Sequence, residues 1–156
     1  MSSALPGATW LYTRIAEVNR RSHPVDRYLK LAECAGGTAG KSLRYPLPSG
    51  DPLPRFDVYP PFVLLHPFAR GCDKSLSNAA IEAFCRSLAP VRVILVGQTR
   101  SRINTPENCV DLTKQTSLLQ LIWLIRVARF VVSVESGPMH VAAAVTGKLL
   151  SIPYME

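Results

Sequence analysis

From Phe62 onward the chain alternates short apolar runs with amphipathic stretches. Phe62-Val63-Leu64-Leu65 predicts a short buried strand, closed by the loop His66 to Lys74. Ser75 or Ser77 is placed to cap the next element, a helix with Ala80, Ile81, Phe84 and Leu88 on one face, ended by Pro90. Val91 to Gly97 predicts a second strand, followed by a polar loop from Gln98 to Asn108. Val110 to Thr113 is a third, short strand. Ser117-Leu118-Leu119-Gln120 has the spacing of a capping box. The helix that it opens, to about Ala128, is apolar nearly all round and is expected to be well covered. Phe130 to Val134 reads as a fourth strand. It turns through Glu135-Ser136-Gly137-Pro138 into a helix of small apolar residues, Val141 to Val145. Lys148 to Ile152 is the last strand.

Strands alternating with helices imply a parallel sheet with right-handed crossovers, an α/β class. On such sheets ligands sit at the carboxyl ends of the strands. The polar loops His66 to Lys74, Gly97 to Arg102, Thr113 to Thr116 and Glu135 to His140 all lie at such ends. The turn at Glu135 to His140 directs helix-start N–H groups and the positive end of the helix dipole at one spot, which suits a phosphate.

Upstream, Val25, Tyr28, Leu29 and Ala32 form an apolar stripe that predicts a helix over about Pro24 to Ala35, stopped at Gly36-Gly37. Residues Trp10 to Arg21 read either as a short helix or as irregular chain. Six of the 13 prolines fall between Pro46 and Pro61, so this segment reads as an extended linker. The expected division is residues 1–60 as a helical and linker segment and residues 61–156 as an α/β domain.

Composition narrows the function classes. At 47% hydrophobic the chain is globular. No apolar run reaches the roughly 18 residues of a membrane span, and the first residues lack the pattern of a signal peptide. Cys34, Cys72, Cys85 and Cys109 form no C-x-x-C pair and show no zinc spacing, so they read as reduced thiols and no metal or other cofactor is expected. The net charge of +7 comes mainly from scattered arginines, without a basic helix or an aromatic RNA-binding strand. A phosphorylated substrate or an anionic membrane surface uses that charge better than nucleic acid does. Neither G-x-G-x-x-G nor G-x-x-x-x-G-K-[ST] is present, which weighs against a nicotinamide dehydrogenase and a P-loop NTPase. A G-x-S-x-G elbow is absent too. What remains is a diphosphate cradle. The amides at Ser136 to His140 and the Ser136 hydroxyl donate to phosphate oxygens, and Lys74 supplies countercharge. Glu135 is suited to sugar hydroxyls. Each has a plainer reading, with Lys74 as a surface lysine, Ser136 as a helix cap, His140 as a helix-start histidine and His66 as a strand-end filler.

Several segments resemble, in order, the C-terminal half of glycosyltransferase family 9, the ADP-heptose:lipopolysaccharide heptosyltransferases. They are His66-Pro67-Phe68-Ala69 with Asp73-Lys74-Ser75, Val93 to Gly97, Asp111-Leu112-Thr113 with Thr116 to Leu119, and Val132 to Ala144. His23 to Leu29 resembles the segment that precedes this half. The resemblance covers roughly residues 10–152. It implies a GT-B fold whose Rossmann-like C-terminal domain binds a nucleotide-sugar donor such as ADP-heptose, for metal-independent, inverting transfer to the lipopolysaccharide core or a related glycan. It further implies diphosphate contacts from Lys74, Ser136 and Gly137, donor-sugar contacts from Glu135 and His140, and nucleoside contacts from Gln98, Thr99 and Thr116. The reduced thiols suit a cytoplasmic protein, and the basic charge suits a place peripheral to the inner face of the cell membrane. Glu135 stands where the family usually has aspartate, and Gln98-Thr99-Arg100 lacks the acidic residue often found there. The family's catalytic aspartate base belongs to the N-terminal domain, with no counterpart here. The 156 residues are therefore expected to bind donor without transferring it, the domain being cut short at its C-terminus. The alternative is a non-catalytic remnant or nucleotide-binding module.

Overall fold

The computed structural model describes residues 13–38, 45–99 and 102–153, apart from the Cys72 side chain. Expectations for Trp10 to Tyr12, for Arg100 and for the chain after Pro153 lie outside the described residues, as does the Cys72 thiol. Cys34, Cys85 and Cys109 are free thiols. The chain divides into two compact units, Met1–Arg44 and Tyr45–Glu156.

The first unit holds helix α1 (Pro24–Cys34), preceded by irregular chain over residues 13–19. His23 caps it, its Nδ1 accepting the Val25 N–H at 3.3 Å, and Pro24 begins it. The stop is as legible as the start. Gly36, at φ +98°, donates to Glu33 O and Gly37 donates to Ala32 O, which closes the last turn through a left-handed glycine. Arg14 donates to the Cys34 carbonyl at 2.9 Å, setting a cation at the negative helix end.

The second unit is a five-stranded, all-parallel sheet in the order β3-β2-β1-β4-β5. The strands are β1 (Phe62–His66), β2 (Arg92–Leu95), β3 (Cys109–Asp111), β4 (Phe130–Val134) and β5 (Leu149–Ile152). Helix α2 (Asn78–Ser87) links β1 to β2, α3 (Leu118–Val127) links β3 to β4, and α4 (Gly137–Val145) links β4 to β5. The period-two alternation of the strands builds two cores. Phe62, Leu64, Ile94 and Val131 face α3 and α4, where Leu121, Leu124, Ile125 and Ala142 cover them. Leu65, Val93, Leu95 and Val132 face α2, where Ile81 and Cys85 cover them. This is the expected Rossmann-like architecture.

The helix starts follow from their caps. Ser77, rather than Ser75, caps α2 by accepting from Ala80 N–H at 3.2 Å. Ser117 and Gln120 form the reciprocal capping box of α3, at 3.1 and 2.9 Å. Helix α3 is covered at Leu121, Ile122, Leu124 and Ile125 but exposes Leu118, Leu119 and Val127.

The proline-rich segment from Tyr45 falls within the sheet unit. Its irregular backbone is satisfied by neighbours. Arg126 donates to the carbonyls of Leu47 and Pro48, and Asp51 N–H donates to Leu119 O at 3.1 Å. The Phe56 ring packs edge-on against Phe62 and Trp123, with Arg92 over its face at 4.9 Å.

Candidate functional site

Strands β1 and β4 are neighbours whose following helices lie on opposite faces of the sheet. The chain therefore leaves them in opposite directions, and a crevice opens beyond their carboxyl ends. A cleft of about 480 Å³ occupies this place. Its walls include His66 from the end of β1, Gly97 and Gln98 after β2, Thr116 before α3, and Ser136 and Gly137 at the start of α4.

His66 sits at the bottom of this arrangement. It is paired in register with Ser133 of β4 and is only 7% exposed. Burial pushes its imidazole down from the ordinary 6.5 to about 4, and a backbone hydrogen bond at His66 itself offsets part of that. The ring is therefore neutral at pH 7. Its Nδ1 lies 3.4 Å from Ser136 Oγ, and its plane stands edge-on to Phe68. Ser136 in turn donates to the Val134 carbonyl at 3.1 Å, and Ser133 donates to the same oxygen at 2.9 Å.

Ser136 is the N-cap residue of α4, yet its hydroxyl makes no capping bond. Pro138 fills the second helical position and has no N–H. The next amide, Met139 N–H, is taken by the Ser136 carbonyl at 3.1 Å. The helix thus starts at the cleft wall without a side chain folded over its end, and a Cβ placed on Gly137 would meet nothing within 4 Å.

A second, larger cleft of about 890 Å³ lies between the β1–α2 loop and the loops after β2 and β3. Arg70, Ser75, Asn78, Gln98, Thr99 and Lys114 contribute to its lining. Ser75 shapes the first of these loops. It accepts from Ala69 N–H at 2.9 Å and donates to Gly71 O at 3.1 Å. Lys114 is held at φ +60°, with its N–H on Gly97 O at 2.9 Å.

The structure gathers some of the sequence-derived candidates and separates others. Ser136, Gly137, Gln98 and Thr116 share the switch-point cleft, and Thr99 joins Gln98 in the larger one. Lys74 ends a 3₁₀ turn, Cys72–Lys74, with an exposed side chain. Glu135 and His140 are also exposed, beside the start of α4. These three are not among the residues that line the two clefts. His66, set aside by sequence reasoning as a strand-end filler, is the central polar group. The available signal was a lone histidine closing a strand of four apolar residues.

The sequence model of glycosyltransferase family 9 (heptosyltransferase) matches residues 1–153. No curated protein matches the chain. Among solved structures, the glycosyltransferase family 9 protein from Veillonella parvula DSM 2008 aligns with a TM-score of 0.57 at 12% identity, over 89% of this chain and 51% of that one. The dodecameric iron-containing heptosyltransferase TibC, solved in complex with ADP-D-β-D-heptose, aligns with a TM-score of 0.45 at 23% identity, over 60% of this chain and 27% of that one. The chain thus spans about half the length of the first and about a quarter of the second. The family match runs through both units and every strand of the sheet, and the Veillonella protein shares the fold, so this chain belongs to glycosyltransferase family 9.

Proposed function

We propose that the sheet unit is the donor-binding domain of a heptosyltransferase-like glycosyltransferase, holding a nucleotide sugar of the ADP-heptose class for transfer to a lipopolysaccharide core or a related glycan. The observation that carries this reading is the start of α4 in the switch-point cleft, where Ser136 and Gly137 form a wall beside Gln98 and Thr116. In this reading the diphosphate lies at the helix start, where amides and the helix dipole favour negative charge. Lys74 swings in from the adjoining turn as countercharge. Gln98 and Thr99 meet the ribose, and Thr116 lies by the base. Glu135 and His140 flank the donor sugar. As the glycosidic bond breaks, charge accumulates on the departing diphosphate, and donors already in place stabilise it more than they stabilise the bound donor. The general base and the acceptor site come from a domain outside these 156 residues. Work at an acceptor of this kind puts the protein in the cytoplasm, beside the inner face of the membrane.

Calorimetric titration of the chain with ADP and with ADP-heptose tests the proposal. Binding of both, weakened by Lys74→Ala and by Gly137→Val, is the expected result. No binding at millimolar ligand overturns it and favours a non-catalytic module. Heptose transfer by the 156 residues alone would overturn the assignment of the base to another domain.

A further inference from the structure

Cys85 and Cys109 are two buried nucleophilic groups for which the donor reading has no use. Cys85 lies near the end of α2 and is 0% exposed, and Cys109 opens β3 and is 8% exposed. Both are free thiols, and both belong to the core on the α2 side of the sheet. The topology brings them together there. Helix α2 covers β2, and β3 is the sheet edge beside β2.

Asn108 fixes the spacing between the two elements. Its Nδ2 donates to the Cys85 carbonyl at 2.8 Å and to the Val91 carbonyl at 2.9 Å, and its own carbonyl accepts from Val93 N–H at 2.8 Å. The residue before Cys109 is thus fastened to Cys85 itself. The two thiols complete the contact by hydrogen-bonding to each other. That bond gives the pair an acid–base order. The Cys109 S–H holds the Cys85 thiol below its ordinary 9.0, against the opposing effect of burial. The same bond, together with burial and the charges on Cys85 and Asp111, pushes the Cys109 thiol far up. A thiolate with a thiol in contact is the arrangement from which a disulfide forms. A cleft of about 750 Å³ opens beside the pair, with Arg86 and Asn108, the chain neighbours of the two cysteines, in its walls.

We infer that Cys85 and Cys109 form an oxidation site, a dithiol that hydrogen peroxide converts to a disulfide linking α2 to the edge strand β3. The first thiolate of the pair attacks one peroxide oxygen and breaks the O–O bond. This leaves a sulfenic acid and a hydroxide, which takes up the proton released by that thiol and departs as water. The partner thiol then attacks the sulfenic sulfur. The S–O bond breaks, and its hydroxyl leaves with the partner's proton as a second water. Two electrons have passed from the two sulfurs to the peroxide. The disulfide replaces a thiol contact that the fold already makes. It also gives β3, which is paired with β2 at the sheet edge, a covalent hold on α2. Cys34 takes no part, since it lies on α1 in the other unit.

The test is made on the full chain, with hydrogen peroxide as the oxidant and two readouts. In the first, the reduced, folded protein is treated with one equivalent of peroxide. It is then unfolded, its remaining thiols are capped with N-ethylmaleimide, and its peptides are mapped by mass. The expected product is a cross-linked pair of peptides holding Cys85 and Cys109, lighter by two hydrogens than the reduced pair and separated again by dithiothreitol. Cys85 and Cys109 that stay reduced, sulfinic acid on either in place of the cross-link, or a bond from either to Cys34 or Cys72 overturns the inference. This readout needs no variant, so it does not depend on how well one folds. The second readout is the urea midpoint. A disulfide that fits the native core raises it, because it restricts the unfolded chain. The midpoint of the wild type should therefore rise on oxidation and return on reduction, with no rise in Cys85→Ser or Cys109→Ser. Cys85→Ala and Cys109→Val replace these if a hydroxyl in the core prevents folding. A wild-type midpoint that does not rise, or an equal rise in the single variants, overturns the inference.

Discussion

The His66 imidazole lies against Gly97 where a side chain on that residue would have to go. A Cβ on Gly97 would stand 3.0 Å from His66 Nε2 and 2.8 Å from Phe68 Cδ2, and Gly97 itself is held at φ +122°. Both the space and the backbone angle exclude a side chain. Gly97→Ala is expected to lower the folding free energy by about 1–3 kcal/mol, the usual cost of a strained backbone with a local clash. Urea denaturation checks this through the midpoint, at unchanged slope. A midpoint equal to that of the wild type would show that the β2 loop yields freely, and that His66 does not hold it.

The depressed pKa of His66 makes stability depend on pH. Above about pH 6.5 the imidazole is neutral in the folded and unfolded chain alike. Between 6.5 and about 4 the unfolded chain binds a proton that the folded chain does not, so stability falls as pH falls. Below about 4 both forms bind it and the dependence ends. The full span amounts to a few kcal/mol, on the order of 3. Urea midpoints measured from pH 4 to 7 should slope less in His66→Asn than in wild type. Identical slopes would mean that His66 is solvated in the folded chain.

Capping should be costly to lose at one serine and not at another. Ser117→Ala removes the side-chain half of the α3 capping box, the Gln120 N–H bond to Ser117 Oγ, and is expected to cost about 1 kcal/mol. Ser136→Ala removes no capping bond, so helix α4 keeps its start. Amide exchange in the first turn of each helix tells them apart. Faster exchange is expected at Gln120 in the first variant, with no corresponding change at Met139 in the second.

Lys74 lies on the exposed 3₁₀ turn, outside the lining of the clefts, so its role depends on reaching the ligand. A charge-assisted hydrogen bond to phosphate contributes about 1.5–3 kcal/mol, roughly ten- to a hundredfold in affinity. Lys74→Ala should weaken ADP by that factor, and Lys74→Arg should retain most of the binding. Equal binding by Lys74→Ala and wild type would leave the diphosphate to α4 alone.

The elements themselves were legible in the sequence, because each depends on neighbouring residues. The apolar run Phe62 to Leu65, the serine caps and the glycines after Cys34 state their structure within a few positions. Strand order was not legible. Nothing in Phe130 to Val134 says that it pairs with β1 rather than β3, since every buried parallel strand presents the same apolar run. The switch point, and with it the convergence of His66 on Ser136, depends on that order. The candidates that share the cleft, Ser136, Gly137, Gln98 and Thr116, were found through their place after a strand or before a helix. His66 was passed over because its environment comes from a residue 70 positions away. Prolines misled in a similar way. They exclude helix and central strand from residues 45–61, but they do not exclude docking.

That docking is specific enough to test at Gly50. It sits at φ +83°, and a Cβ there would lie 2.5 Å from Trp123 N and 2.6 Å from Leu119 O, atoms of the α3 backbone. The helix cannot yield as a flexible side chain would. Beside this contact, Asp51 N–H is bonded to Leu119 O and Arg126 reaches Leu47 and Pro48. Gly50→Ala is therefore expected to lift the segment from α3, at a cost of about 2–4 kcal/mol from lost packing and unmet hydrogen bonds. Lifting it also takes Phe56 away from Trp123, its edge-on neighbour at 6.1 Å. In a Trp10→Phe background the remaining tryptophan emission should shift to the red in Gly50→Ala, and the urea midpoint should fall with it. If neither changes, residues 45–61 are a tether after all, and the sheet unit owes its stability to the two cores alone.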